Sequence, residues 1–381
     1  MTGQTGFRVF VLGAGFSKLA GLPLGNELFG EVCKKIVTQY GKDTRFQRDL
    51  EEYVEYRNNC GDKNIQLENV NLEDFLTFLD MEHYLDLRGK DTWSSEGNES
   101  QLLIRESICR VIYQNTPSAD KIPSVYFKFA QQLTFGDIVL SFNYDNLLEN
   151  VLEKVGKPYR LFLQSNKQID HEKEEVILLK MHGSIDWISD HRFLEISNIY
   201  KKNGYVGHEI SPVFDHPERF GITPLFDGLT DEGAFQRRLF RIGKTGLFYS
   251  YPDLPETPFI LSPSYVKFLY SQPLLGFWSG LGLAGALNLG VTVIGFALPE
   301  HDEYLRIALY KLITNYQQSN WNESILGKLK NNVKFVDFKN TNQEQHDYKK
   351  RYSFADSEKT DFFFEGFGEN SLDFIFSDTR N

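Results

Sequence analysis

Apolar residues in this chain come in short unbroken runs, not in alternating ones. The first is Val9-Phe10-Val11-Leu12, the pattern of a strand buried on both faces. Residues 138–141, 176–179, 259–261, 291–296 and 333–338 repeat it. Between these runs apolar residues recur at helical spacing, as in Leu28, Val32, Ile36 and Val37. That spacing predicts helices over 27–40, 102–113, 125–133, 146–155 and 302–316, with another opening at residues 71–75. Six buried strands separated by helices predict an α/β fold with a doubly wound, mostly parallel sheet of about six strands. The stretch between the first two strands is too long for a plain crossover, so residues 27–135 read as an inserted helical subdomain. Residues 89–100 within it read as a surface loop. Residues 190–257, rich in glycine, proline and charge, read as an irregular second insertion. The sheet-bearing domain then covers residues 1–340, and residues 341–381 form a C-terminal extension.

Ligands of such sheets bind at the carboxyl ends of the strands. The polar clusters at 13–17, 143–145, 182–184 and 262–264 each follow an apolar run, so the pattern predicts that they converge on one crevice. The first run breaks into Gly13-Ala14-Gly15-Phe16-Ser17, where backbone turns without a Cβ in the way. Strand, glycine turn and a helix start that Ser17 can cap together make a Rossmann-like phosphate cradle. The same turn also serves as a plain tight connection, and both readings stand at this point. Lys18 occupies the place of the third glycine in G-x-G-x-x-G, which disfavours an ordinary dinucleotide dehydrogenase.

Asn143 and Asp145 are separated by one residue, and alternation aims both to one side. An amide and a carboxylate so placed can hold a carboxamide or a ribose hydroxyl. Equally, Asp145 can cap the helix that follows. His182 carries an imidazole of ordinary pKa ~6.5, able to take a proton at cellular pH. A core histidine with both nitrogens bonded is the alternative. Gly183 beside it favours the first reading by leaving room for a ligand.

Composition narrows the chemistry further. A net charge of −11 disfavours direct nucleic-acid binding. Cys33, Cys60 and Cys109 form no C-x-x-C pair, and the histidines show no ligand spacing, so no metal is expected. The amino terminus lacks the pattern of a signal peptide, and a cytoplasmic location is expected. Residues 268–299 carry no charge and are long enough to span a bilayer. Pro273 and several glycines interrupt them, and a buried helix over 272–289 feeding a strand is the better reading, without membrane association.

GAGFSKLAGLP at residues 13–23, FNYD at 142–145 and KMHGSIDW at 180–187 together resemble the sirtuin superfamily. In that family these are the phosphate loop, the N-x-D nicotinamide motif and the H-G catalytic motif. The resemblance is nearest to the prokaryotic sirtuin-like NAD hydrolases of antiphage defence, including the partner of HerA-type ATPases. It implies NAD+ as substrate, with Asn143, Asp145 and His182 as catalytic residues. Nucleotide contacts would fall to Gly13, Ala14, Gly15, Phe16, Ser17, Pro23, Gly183, Ser262, Gly295 and Phe296. It further implies homo-oligomers gated by a HerA-type ATPase, a role for which the helical block and the aromatic tail at 362–364 are candidate surfaces. Deacylating sirtuins carry a four-cysteine zinc module that three cysteines cannot build, and their loop continues past the proline with Phe-Arg, where Leu24-Gly25 stand here. NAD-dependent deacylation and a non-catalytic NAD or ADP-ribose sensor are therefore the alternatives to hydrolysis.

Overall fold

The computed structural model describes residues 7–61, 65–66, 69–88, 96–161, 170, 172–205, 207, 209–225, 238–252, 254, 256–299, 302–325 and 327–380. Among these, the strands are β1 (Arg8–Leu12), β2 (Ile138–Ser141), β3 (Tyr159–Arg160), β4 (Val176–Lys180), β5 (Gly183–Ser189), β6 (Ile222–Pro224), β7 (Leu239–Ile242), β8 (Pro258–Ile260), β9 (Gly290–Ile294), β10 (Val333–Val336) and β11 (Thr360–Phe363). They form two sheets, and the chain divides into two compact units.

The first unit comprises Met1–Leu22, Thr116–Met181 and Leu274–Asn381. Its seven-stranded sheet has the order β11-β10-β9-β1-β2-β4-β3, and every neighbouring pair is parallel. This is the Rossmann-like α/β sheet flanked by helices that the buried runs predicted. β1 is central, with Val9 opposite Ile138 of β2 on one side and Val291 of β9 on the other. The chain builds outward from β1 through β2 and β4, then returns to β1's other edge at β9. The strand order therefore reverses between β1 and β9, and a crevice outside their carboxyl ends is the usual ligand position.

Aromatic rings fill the core beside β1. Phe10 and Phe16 pack edge-on against Phe129 of the Ser124–Gln132 helix, at centroid distances of 5.5 and 5.4 Å. Phe376 of the Glu369–Phe376 helix closes on Phe10 at 5.7 Å. The aromatic tail contributes a strand: β11 pairs with β10, and Phe362 stacks on Phe335 at 5.1 Å. Those rings are thus built into the sheet unit.

The second unit comprises Pro23–Asn115 and His182–Pro273. It holds the helices Gly25–Tyr40, Arg45–Asn59, Leu72–Tyr84 and Glu99–Asn115 and an antiparallel sheet of order β6-β7-β5-β8. Local chemistry starts these helices where they start. The side chain of Asn71 accepts from the N–H groups of Glu73 and Asp74, and that of Thr44 accepts from Gln47.

Several expectations need correction. The run at 259–261 is a strand, but β8 belongs to the antiparallel sheet; β3 and β11 bring the parallel sheet to seven. The stretch 190–257 contains the helix His191–Lys202 and strands β6 and β7, with 226–237 outside the described residues. Of the surface loop expected at 89–100, residues 89–95 lie outside the described residues and Glu99 already opens a helix. The helix expected over 272–289 is a series of short turns, broken where Gly280 takes a φ of 78°. Among the described residues no helix is long and apolar enough to cross a membrane.

Candidate active site

Two glycine turns meet at the carboxyl ends of β1 and β9. Gly13 N–H donates to the Ile294 carbonyl at 3.0 Å, Gly15 N–H to the Gly295 carbonyl at 2.9 Å, and Phe16 N–H to the Gly13 carbonyl at 2.9 Å. A Cβ on Gly13 would stand 2.5 Å from the Gly295 carbonyl oxygen, and one on Gly15 2.7 Å from the Gly295 Cα. Gly295 itself has a φ of 62°, and its Cβ would overlap the backbone of Gly15 and Phe16. The glycines are required because two backbones touch. The plain tight connection considered for this loop is thus part of what its glycines do.

Ser17 ends the single helical turn Ala14–Ser17 and stands at the N-cap position of the turn Lys18–Ala20, but its side chain makes no capping bond there. Its hydroxyl, 1% exposed, donates to Asp145 Oδ2 at 2.9 Å and accepts from Asn143 Nδ2 at 3.1 Å. Asn143 Nδ2 also donates to the Gly13 carbonyl at 2.9 Å. The direction of this chain is fixed by chemistry. A carbonyl and a carboxylate can only accept, so the amide nitrogen must face Gly13 and the hydroxyl proton must face Asp145. Both amide N–H groups are therefore committed, while Asn143 Oδ1 accepts no hydrogen bond among the described residues. Asp145 Oδ1 accepts from Leu147 N–H at 3.1 Å, an Asx turn that leads into the helix Leu147–Val155, whose N-cap position is Asn146 and not Asp145.

Beneath this loop lies a group that the strand pattern did not flag. Lys180 closes β4 and is 1% exposed; its Nζ stands 3.1 Å from Glu149 Oε1 and donates to the Asp145 backbone carbonyl. A lysine ending an otherwise apolar run is the signal that finds it, because a buried ammonium needs a partner. Tyr126 OH donates to the Phe16 carbonyl at 2.6 Å, and burial, reinforced by the Asp145 charge, pushes its phenol up. Phe296 is buried against Phe142, with ring centroids 4.8 Å apart, and its carbonyl accepts from Tyr352 OH at 2.7 Å. Ala14 is exposed.

Gly13, Gly15, Ser17, Asn143, Asp145, Gly295 and Phe296 thus form one connected cluster within the sheet unit. His182, Gly183 and Ser262 belong to the second unit, which the chain enters between Met181 and His182. There His182 is buried, and its carbonyl accepts from Leu261 N–H at 2.8 Å. Gly183 pairs with Ile260 at a φ of 80°, and the space of its missing side chain is filled by the Phe259 carbonyl. The glycine serves the closeness of β5 and β8. Ser262 is buried just past β8, and half-buried Pro23 opens the second unit. Among the described residues no group of three or more His, Cys, Asp or Glu side chains could hold a metal ion.

A parallel Rossmann-like sheet with a polar cluster at the ends of its first two strands has that cluster where α/β folds of this kind bind their ligands. Residues 137–210, the stretch holding β2, β4, β5 and both the FNYD and HGS sequences, match the SIR2-like domain family. The match supports a sirtuin-like chain with an NAD-related activity. No curated protein matches the chain.

Proposed function

We propose that the chain is an NAD+ hydrolase that releases nicotinamide and ADP-ribose. The observation that carries this reading is the orientation of Asn143. Its two N–H groups are held by Gly13 and Ser17, which leaves a carbonyl oxygen as the group offered to a ligand. An acceptor of that kind binds and aims a water molecule. In the reaction the bond from C1′ of the ribose to the nicotinamide nitrogen breaks, and its electron pair leaves on the ring, which becomes neutral. The water oxygen bonds to C1′, and its proton passes to a base, a role we assign to His182 from its place in the HGS motif. The transition state carries positive charge on the sugar. Lys180, Glu149 and Asp145 together leave one net negative charge behind the loop, the sign that stabilises such a cation. The backbone of Gly13–Ser17 and of Gly183, with Pro23, Ser262 and Gly295–Phe296, is assigned to the nucleotide on the sirtuin resemblance.

The biological role proposed is antiphage defence by NAD+ depletion in the cytoplasm, with hydrolysis gated by homo-oligomer formation and a HerA-type ATPase. The resemblance alone supports this gating, since the aromatic tail is built into the sheet. Purified protein incubated with NAD+, alone and with such an ATPase, tests both levels through free nicotinamide and co-elution. No co-elution and no change in turnover with the ATPase would remove the partner from the account. Acetyl-lysine peptide consumed in step with NAD+ would favour a deacylase instead.

A further inference from the structure

β4 reads Val-Ile-Leu-Leu-Lys, and its one charge ends up inside the protein. The ammonium of Lys180 reaches two points of the segment that carries Asn143. One is the backbone carbonyl of Asp145 and the other is Glu149, 3% exposed, in the first turn of the helix Leu147–Val155. Asp145 in turn meets Ser17 and starts that helix through Leu147, and Ser17 accepts from Asn143. No apolar side chain could make the contact to the 145 carbonyl.

We propose that Lys180 is a positioning residue for Asn143. By holding the 145 carbonyl and the helix start, it keeps the Asp145 carboxylate on Ser17. Ser17 is thereby kept as acceptor for one Asn143 N–H, and Oδ1 is kept as the amide's uncommitted acceptor. The inference deepens the hydrolase reading and rests on Asn143 as the residue that aims the water. A purely structural ion pair makes a different demand: replacing both charges with apolar residues of similar volume is often neutral for stability.

The test is therefore the double variant K180M/E149L, since Lys180→Met alone removes the ammonium that faces the buried Glu149 carboxylate and can fail to fold for that reason. In the full-length protein the double variant is expected to stay folded, with a melting temperature lowered by no more than that of Ser17→Ala, since it loosens the same Ser17 bonds. Its KM for NAD+ should stay within about twofold, while kcat falls roughly 10- to 100-fold, the scale of a misplaced catalytic group. A folded double variant with wild-type kcat overturns the proposal. A second readout needs no turnover. The side-chain amide of Asn143, identified by its loss in N143A, should be protected from solvent exchange in wild type and exchange measurably faster in K180M/E149L, where the Ser17 tether is loosened and the Gly13 tether remains. Retained protection overturns the positioning role even if the protein proves to cleave nothing. Lost protection with no nicotinamide released by wild type supports the positioning role and overturns the hydrolase reading alone.

Discussion

Ser17→Ala separates two accounts of the same residue. In the sequence Ser17 belongs to a phosphate loop, and removing a phosphate ligand raises KM. In the structure its hydroxyl is buried between Asn143 and Asp145. Deleting it removes a charge-assisted bond of about 1.5–3 kcal/mol and a neutral one of about 1 kcal/mol, and leaves a carboxylate oxygen and an amide N–H without their partner. The variant should therefore lose about 2–4 kcal/mol of stability, read as a lower urea midpoint at unchanged slope. Asn143 loses one of its two tethers, so kcat for NAD+ should fall roughly tenfold to a hundredfold. KM should move less than about twofold. A cycle with Asn143→Ala adds a check: the two changes should be non-additive by about 1 kcal/mol or more, because they act on one bonded pair. A Ser17→Ala protein with wild-type kcat and a several-fold higher KM would refute the account and restore the phosphate role.

Gly295→Ala should be among the most damaging single changes in the sheet unit. A left-handed φ costs about 1–2 kcal/mol for a residue with a Cβ, and overlap with the Gly15–Phe16 backbone adds about 1–3 kcal/mol; a urea titration that finds less than about 1 kcal/mol contradicts the close contact. Lys330 and Lys334 are buried, and burial lowers both ammonium pKa values to about 8. Each unfolded lysine titrates near ~10.4, so from pH 8 upward the unfolded state binds more protons and stability rises with pH. The phenols of Tyr126 and Tyr316, pushed up by burial, reverse the trend above about pH 10, where only the unfolded state ionises. Melting scans should thus show a maximum between about pH 8 and 10. Lys330→Met should flatten the rising limb while also weakening the fold, because the carbonyls of Gly285, Tyr316 and Ser319 lose their shared donor.

How far the residues disclosed the fold depended on the kind of signal. β1, β2, β4, β9 and β10 were legible because a strand covered on both faces must be apolar throughout, and few other elements are. β8 looked the same in sequence but joins the antiparallel sheet, since an apolar run says that a strand is buried and not which neighbour buries it. β5 was hidden behind the HGS motif: the buried polar Ser184 precedes Ile185, and the buried Asp186 separates it from Trp187 and Ile188, so the run lost its signature. β11 was obscured because its phenylalanines are only half-covered at the sheet edge. Of the site, Asn143, Asp145 and the Gly13–Ser17 loop were found together because all follow strands at the sheet's centre. Their wiring was not legible. That the hydroxyl of Ser17 links Asn143 to Asp145, across more than 120 residues, is a matter of tertiary contact. Glycine positions were legible as glycine positions, but the reason for Gly183, the Phe259 carbonyl lying against it, appears only once β8 is seen beside β5.

The central claim is that an amide whose N–H groups are both committed to the protein uses its oxygen to direct water onto the sugar of NAD+. It is tested most directly by following free nicotinamide from NAD+ with wild-type protein, Asn143→Ala and His182→Ala, each checked for folding and for nucleotide binding. Wild type should release nicotinamide and ADP-ribose in equal amounts, and each folded variant should bind NAD+ while losing at least about a hundredfold in rate. Nicotinamide released by Asn143→Ala at the wild-type rate would contradict the account.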